Sequence, residues 1–335
     1  MKNNTSMTAH FHLPGLFEFY EFYKLFLPLF REKREYFFEW CDIASVYGAP
    51  ADCIWGGGRA GYGDDDPGEV FALMREYGIS CRLTFSNSLL REEHLSDARC
   101  NRLCRELEES GAAGDAGDAC ASDEHYRSAG VIVHSELLLN YLSEKYPQLY
   151  FISSTTKVLT KFSDLKVELG REEFSYVVPD FRLNKAFDEL SALPDEMKQK
   201  VEFLCNECCD FGCAKRKQCY ENVSRICLGE DDRWDGADEQ NRSEARKAPY
   251  TDFECASPYA SEGYVFSRAM ENPGFISADD IRDIYLPMGF SNFKIEGRSL
   301  GSALLLEFIL YYMTKPEHRL HVREKIYLNH SLDIV

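Results

Sequence analysis

The sequence predicts an α/β protein whose strands and helices form a (β/α)8 TIM-like barrel. Eight short apolar runs alternate with helix-like stretches along the 335 residues, which is the pattern of parallel strands joined by crossover helices. Eight such units close naturally into a barrel, and polar residues stand at nearly every strand end, where barrels of this kind place their active sites. The predicted strands are 9–13, 52–55, 80–85, 130–133, 149–152, 174–178, 201–204 and 290–295.

An open, doubly wound parallel sheet is the alternative fold. Such a sheet commonly binds phosphate at a G-x-G-x-x-G turn after its first strand. The first predicted strand ends at Pro14-Gly15 without that spacing, and the run Gly56-Gly57-Gly58 after the second strand also lacks it. We interpret the glycine run as a tight turn and favour the barrel.

Helix-like stretches follow most of the predicted strands. The first, up to about residue 38, is rich in aromatic residues, but charged residues such as Glu18, Lys24 and Arg31 interrupt it. It therefore fails as a membrane span and fits an amphipathic helix. The other predicted helices are 67–77, 96–109, 136–145, 185–193 and 302–313.

The chain is predicted to form one barrel domain over residues 1–335, with two polar surface insertions. Residues 110–126 consist mostly of Gly, Ala, Asp and Ser, and residues 229–248 are polar and acidic. Segments of this composition bury too little apolar area to offset the entropy of ordering. We therefore expect both to be flexible excursions from the barrel.

Composition and charge narrow the function classes. A hydrophobic content of 44% is typical of a globular protein. The formal net charge of -18 argues against general phosphate-backbone binding, because that affinity depends on Lys and Arg neutralising phosphates. Residues 215–217, Lys-Arg-Lys, are a local basic run. The N-terminus lacks a basic region followed by an apolar core, and 13 irregularly spaced cysteines fit a reducing compartment. We expect a cytoplasmic protein with no membrane partner.

A cysteine-rich loop follows the predicted strand 201–204. Five cysteines fall within fifteen residues there, and one more stands alone downstream at Cys255. Such density in a reducing compartment indicates metal ligation more than disulfides. Iron–sulfur clusters and structural zinc both use thiolate ligands, so spacing alone leaves the metal open. The loop cysteines are Cys205, Cys208, Cys209, Cys213 and Cys219.

Polar residues at the predicted strand ends are the candidate site residues. The carboxyl ends of parallel barrel strands meet at one face, so we expect these side chains to surround one site beside the cysteine loop. They are His12, Arg59, Asn87, His134, Ser154, Thr155, Asp180, Asn206, Glu207, Glu296 and Arg298.

Three landmarks resemble the U32 peptidase-like family, the family first described as collagenase-like proteases. Residues 294–298 read K-I-E-G-R, which is similar to that family's signature. Upstream, residues 206–216 contain N-E-x-C-x3-C-x2-R, which resembles the cysteine motif of the family's divergent, stand-alone members. Cys255 and the stretch 272–281 resemble a family cysteine and the I-x-P-E-D-L-like segment after it. The resemblance covers roughly residues 200–300.

The resemblance implies a barrel that holds a 4Fe–4S cluster on four cysteines. Relatives of this kind serve in hydroxylation of RNA and in oxygen-independent hydroxylation during ubiquinone synthesis, some beside a second related barrel. Cys209, Cys213 and Cys255 stand where ligands are expected. The resemblance leaves the fourth ligand open between Cys219, which we favour, and two alternatives, Cys208 and Cys53. Residues 277–278 and 299–301 depart from the family pattern.

The resemblance also implies roles for three acidic and basic residues. Glu296, Arg298 and Glu207 are the expected catalytic residues, with Glu296 and Arg298 binding or orienting the substrate. The planar fork of Arg suits a carboxylate or a phosphate. The substrate is predicted to be RNA or a small molecule. The structural alternative is that Glu296 and Arg298 form a buried ion pair that only closes the barrel.

Two other functions remain open. A peptidase is one, although no G-x-S-x-G or H-E-x-x-H motif is present, and His134 alone is typical of a hydrogen-bonded structural residue. A non-catalytic accessory barrel with a zinc site is the other. The remaining cysteines are interpreted as structural or free thiols: Cys41, Cys81, Cys100, Cys104, Cys120 and Cys227.

Overall fold

Eight parallel strands form a nearly closed barrel with helices between them, which confirms the predicted fold class. The computed structural model describes residues 7–50, 53–56, 66–112, 129–228, 255, 257 and 263–332. The strand order is β6-β5-β4-β3-β2-β1-β8-β7, and a parallel bridge between Val177 and Val201 connects its two ends. The strands are β1 Ala9–Pro14, β2 Cys41–Gly48, β3 Ser80–Phe85, β4 Ala129–Val133, β5 Tyr150–Ser153, β6 Phe174–Val177, β7 Glu202–Leu204 and β8 Asn292–Lys294.

Some of the helices begin at a residue whose side chain caps the first turn. Asp66 accepts a hydrogen bond from the Gly68 N–H at 3.1 Å ahead of the helix Pro67–Glu76, and Ser135 accepts from the Leu138 N–H at 3.3 Å ahead of the helix Glu136–Lys145, as N-caps do. The helices are α1 Tyr20–Glu32, α2 Pro67–Glu76, α3 Ala98–Ala112, α4 Glu136–Lys145, α5 Phe162–Leu169, α6 Phe187–Ser191, α7 Asp195–Lys200, α8 Arg216–Leu228, α9 Phe266–Glu271, α10 Ala278–Asp280, α11 Leu286–Met288, α12 Ser302–Tyr312 and α13 Arg319–Leu332.

The prediction of the second strand was wrong. The strand lies at Cys41–Gly48, and the predicted segment holds a 3-10 helix at Ile54–Gly56 instead. Ser45 points into the barrel and binds His12, so the true strand lacks a continuous apolar run. The apolar residue Trp55 in this segment is buried without belonging to a strand, and its Nε1 donates to the His94 carbonyl at 2.8 Å.

The predicted insertions fall largely outside the described residues. The helix α3 extends to Ala112, so it includes the first three residues of 110–126, and the rest of that segment is not described. The insertion 229–248 lies entirely outside the described residues. No helix within the described ranges is both long and apolar enough to cross a membrane.

The two faces of the sheet carry different side chains. Phe11, Phe203 and Phe293 point outward into the large core between strands and helices. A smaller apolar group that includes Ile132 and Ile152 lies on the other face of the sheet, as the alternation of strand side chains requires. The barrel interior is therefore apolar only in part, and it also holds the buried charges described below.

Replacing Gly130 with alanine is expected to lower the free energy of unfolding by about 1–3 kcal/mol. A Cβ at this position would lie 2.6 Å from Cζ of Tyr150. The Tyr150 hydroxyl bonds Ser80 Oγ at 2.6 Å and accepts from Arg82 Nε at 2.7 Å, so moving the ring disturbs both contacts. Urea denaturation measures the change. Gly68→Ala is the control, because its nearest neighbour is Asp66 Oδ1 at 3.5 Å. Equal stabilities of the two variants would contradict the prediction.

Candidate functional site

A cavity of about 70 Å³ lies at the carboxyl ends of the strands. By a measure in which one water needs about 10–15 Å³, it has room for a small molecule or for the reacting end of a larger one. Glu207, Glu296 and Arg298, the three residues expected to be catalytic, all line it. Their roles remain predictions. The lining residues are Tyr47, Thr84, Ser86, Ile132, Ser154, Thr155, Thr156, Val178, Leu204, Glu207, Tyr220, Lys294, Glu296 and Arg298.

A buried carboxylate with two cations lies inside the barrel. Glu202 is fully buried, and its Oε2 accepts from Arg82 Nη1 at 2.5 Å while its Oε1 accepts from Lys294 Nζ at 3.0 Å. Burial alone would raise the pKa of Glu202. The charges of Lys294 and Arg82, and of His12 when it is protonated, hold that pKa well below the ordinary value of 4.5. Glu202 is therefore ionised, and the group carries one more positive charge than negative.

His12 lies inside the barrel within β1 rather than at a strand end, where we expected it. Its Nδ1 is 2.7 Å from Ser45 Oγ, and its Nε2 is 3.6 Å from Glu202 Oε2. Burial, followed by the positive charge of Arg82, lowers the pKa of His12 well below 6.5. His12 is therefore neutral at physiological pH. It is a structural partner of Ser45 and does not line the cavity.

Lys294 is a site residue that the sequence analysis did not single out. Its Nζ lies 3.7 Å from the centre of the Tyr47 ring, and both residues line the cavity. Burial, together with Arg82 and Arg298, lowers the pKa of Lys294 to about 8, although Glu202 opposes the shift. The available signal was strand alternation: the neighbouring Phe293 packs outward, so a lysine beside it must point into the barrel.

The cysteine loop is attached to the barrel mouth by side-chain contacts. Asn206 donates to the Glu296 carbonyl at 2.9 Å and accepts from the Glu296 N–H at 2.7 Å, which joins the exits of β7 and β8. Glu207 accepts from the Cys209 N–H at 2.9 Å and from Arg216 Nη2 at 2.5 Å. The wall of the cavity is therefore connected directly to the cysteine loop.

Two arginines connect this loop to β6. Arg216 is buried, with Nε 3.5 Å from Asp180 Oδ2. Arg182 binds Asp180 Oδ1 through its Nε at 2.6 Å and donates to the Cys213 carbonyl at 3.1 Å. Asp180, predicted at a strand end, therefore positions the loop rather than lining the cavity.

Cys209 and Cys213 lie near each other in the cysteine loop. Burial raises the pKa of the Cys209 thiol to about 12; Arg216 opposes that shift, and the charges of Glu207 and Cys213 add to it. The two thiols are therefore close enough to interact electrostatically, with a cation beside them to offset thiolate charge. Any additional thiol ligand of a shared metal would have to lie close to this pair.

The other expected ligands are not gathered with that pair. Cys219 is half-buried in the first turn of α8, and Cys255 is exposed. Among the described residues, no three or more His, Cys, Asp and Glu side chains are arranged to hold a metal ion. Most residues around Cys255 lie outside the described ranges. Cys208, adjacent to Cys209, is half-buried.

Cys53 contacts a different cysteine. Its Sγ is 2.8 Å from Sγ of Cys100 on α3, and Cys227 donates a long hydrogen bond to the Cys53 carbonyl. Cys100, one of the cysteines interpreted from the sequence as structural or free thiols, is brought to Cys53 by the fold across 47 residues of chain. This contact does not favour Cys53 as the fourth ligand.

The remaining strand-end residues have mixed positions. Ser154 and Thr155 line the cavity. His134 lies behind it, with Nδ1 2.8 Å from Thr156 Oγ1, and burial and Lys157 lower its pKa to about 4. Asn87 donates to the Ile54 carbonyl and shapes its own loop. Arg59 lies outside the described residues, and Tyr220 on α8 is a lining residue that the sequence analysis missed.

Comparisons with known proteins give one structural likeness. No family model matches the chain, and no curated protein matches it. A solved structure, that of the U32 peptidase Mk0906, is similar with a TM-score of 0.47 and 13% sequence identity, over 88% of this chain and 94% of that one. A likeness at this level carries no conclusion about activity, and the U32 resemblance stays a hypothesis about the chain.

Proposed function

We propose that this protein binds a 4Fe–4S cluster on Cys209, Cys213, Cys255 and Cys219 and acts in oxygen-independent hydroxylation or another modification of a substrate held in the barrel-mouth cavity. The observation that carries the proposal is the position of Glu207. It lines the cavity and also accepts the Cys209 N–H at 2.9 Å. A centre on the cysteine loop would therefore lie next to a bound substrate.

One cation beside the loop, Arg216, would offset part of the charge of an anionic metal centre. Arg216 is buried beside Cys209 and lowers the energy of its thiolate form, and Arg182 holds the backbone at Cys213. When bound, a cluster would supply electron transfer or substrate ligation that side chains cannot. Loading needs two further thiolates, and Cys219 and Cys255 are the proposed donors.

The cavity favours a small substrate or a small reacting group over an extended nucleic acid. Its volume of about 70 Å³ admits few atoms, and the chain carries a net charge of -18, which disfavours phosphate-backbone contacts. Arg298 supplies a planar donor fork for a carboxylate or phosphate, and the hydroxyls of Ser154 and Thr155 can orient polar groups beside it. We propose a reducing cytoplasm as the setting, where thiols remain available for metal.

Anaerobic purification is expected to yield a brown protein with about four irons and four sulfides per chain and a broad absorption band near ~400 nm that dithionite bleaches. Alanine variants of Cys209, Cys213, Cys219 and Cys255 should each lose the band. The matched control is Cys81→Ala, because Cys81 is a buried cysteine of β3 outside the loop. A colourless protein with one zinc per chain would instead support a non-catalytic accessory barrel with a structural zinc site. The absence of metal from every preparation would overturn the proposal.

A further inference from the structure

We propose that Lys294 is a nucleophile whose Nζ forms an imine with the carbonyl carbon of a small anionic substrate, such as a 2-oxo acid. This inference uses the same cavity as the proposed function but none of its metal chemistry. It therefore succeeds or fails independently of the cluster.

Lys294 is a spare cation in its surroundings. Glu202 is the carboxylate that it contacts, and Arg82 already binds that carboxylate at 2.5 Å while also donating to Tyr150. Arginine stays protonated in proteins, so Glu202 keeps a full counter-charge when Lys294 loses its proton. Because Arg82 already neutralises Glu202, Lys294 is not needed for that purpose alone.

Lys294 is also placed for reaction. It is nearly fully buried within the protein, yet it lines the cavity. The neutral amine is the nucleophilic form, and burial with Arg82 and Arg298 lowers the pKa of Lys294 to about 8. Desolvation and a neighbouring cation are two ways in which imine-forming lysines are activated. The position of Lys294 at the cavity and its lowered pKa therefore both favour a reaction at its amine.

The charge and size of the cavity define the substrate class. Lys294 and Arg298 both line it, and the two cations are close enough that Arg298 lowers the pKa of Lys294. An anionic group near Arg298 would offset this repulsion and place an adjacent carbonyl within reach of Nζ. A 2-oxo acid carries its carboxylate and carbonyl on neighbouring carbons and has few atoms, as the volume of about 70 Å³ requires.

The step balances without a cofactor. The lone pair of neutral Nζ forms a bond to the carbonyl carbon, the C–O bond breaks, and the oxygen leaves as water with both hydrogens of the amine. Nothing is oxidised or reduced. In the trapping experiment, cyanoborohydride delivers a hydride to the imine carbon and water supplies a proton to nitrogen, which makes the adduct permanent.

The test is reductive trapping of the full chain with pyruvate and, separately, with methyl pyruvate, followed by peptide mass mapping. Lys185 is the internal reference, because it is a part-exposed lysine paired with Asp280 at 2.7 Å. We expect Lys294 to carry more pyruvate adduct than Lys185. At Lys294, we expect about tenfold less adduct from the uncharged ester than from pyruvate, a factor equal to about 1.4 kcal/mol.

Trapping at Lys294 should rise as the pH increases through about 8. The groups facing its amine are Glu202, Arg82, Arg298, Tyr47 and, across Glu202, His12.

Two variants complete the test. Lys294→Arg keeps a cation beside Glu202 and should abolish the adduct at this site, with circular dichroism showing that the variant is folded. Lys185→Arg should leave the Lys294 adduct unchanged. The proposal is overturned if neither probe marks Lys294 in the wild-type chain, or if both mark Lys185 and Lys294 equally. The peptide map of the wild-type chain tests the proposal even if Lys294→Arg does not fold.

Discussion

Replacing Glu202 with alanine is expected to lower the free energy of unfolding by about 3–5 kcal/mol, the usual cost of removing one partner from a buried ion pair. Glu202 is fully buried and binds Arg82 at 2.5 Å and Lys294 at 3.0 Å. Without it, Arg82 stays charged inside the barrel with only neutral partners. Urea denaturation followed by circular dichroism measures the change.

Replacing Lys294 instead of Glu202 is the control for this prediction, because Glu202 still has Arg82 as its counter-charge. Lys294→Met should cost much less than Glu202→Ala, because Glu202 keeps Arg82 and a methionine fills the same space. Glu307→Ala should change stability little, since the Glu307–Arg323 pair is well exposed. If all three variants lose similar stability, the interior charges do not form the unit described here.

The same carboxylate predicts a pH dependence. The folded-state pKa of Glu202 is below its ordinary value of 4.5, so its ionised form stabilises the fold above that pH and the contribution is lost as the pH falls toward the folded-state pKa. The isosteric variant Glu202→Gln lacks this titration. The difference in unfolding free energy between wild type and this variant should therefore be constant near neutral pH and shrink below about pH 4.5.

The fold was predictable from the sequence wherever one strand face buries an apolar run. The strand Ser80–Phe85 and the helix Glu136–Lys145 were predicted with their observed bounds, because the alternating apolar residues at 81, 83 and 85 mark the strand and the Ser135 cap marks the start of the helix. The strand Cys41–Gly48 was missed because Asp42 and Ser45 interrupt its apolar pattern. Polar residues that face a barrel interior look like loop residues in a linear sequence.

The candidate site was predictable in its place but not in its contacts. Parallel strand ends must meet at one face, so Glu207, Glu296 and Arg298 could be expected to approach each other. Arg82 and Glu202 are 120 residues apart in the sequence, so no short motif predicts that they pair. The same holds for Cys53 and Cys100. Side-chain partners of this kind depend on barrel closure, which sequence periodicity does not specify.

Replacing Arg216 with leucine is expected to detach the cysteine loop from the barrel and to lower the free energy of unfolding by about 3–5 kcal/mol. Arg216 is buried, binds Glu207 at 2.5 Å and lies 3.5 Å from Asp180. Asp180 keeps Arg182, but Glu207 loses this counter-charge while remaining buried. Its hydrogen bond from the Cys209 N–H is then the contact most directly disturbed.

Thiol alkylation separates a local effect on the loop from a global loss of stability. In wild type without metal, burial raises the pKa of Cys209 to about 12 and keeps the thiol protonated, so iodoacetamide should label it slowly. An opened loop exposes Cys209 to water, which should speed labelling at Cys209 and Cys213 and leave the buried Cys81 protected. Arg216→Lys keeps the charge but not the planar fork that reaches both carboxylates, so it should fall between wild type and leucine. Labelling of Cys209 at the wild-type rate in the leucine variant would show that Arg216 does not hold the loop, and faster labelling of Cys81 as well would show that the whole barrel had opened instead.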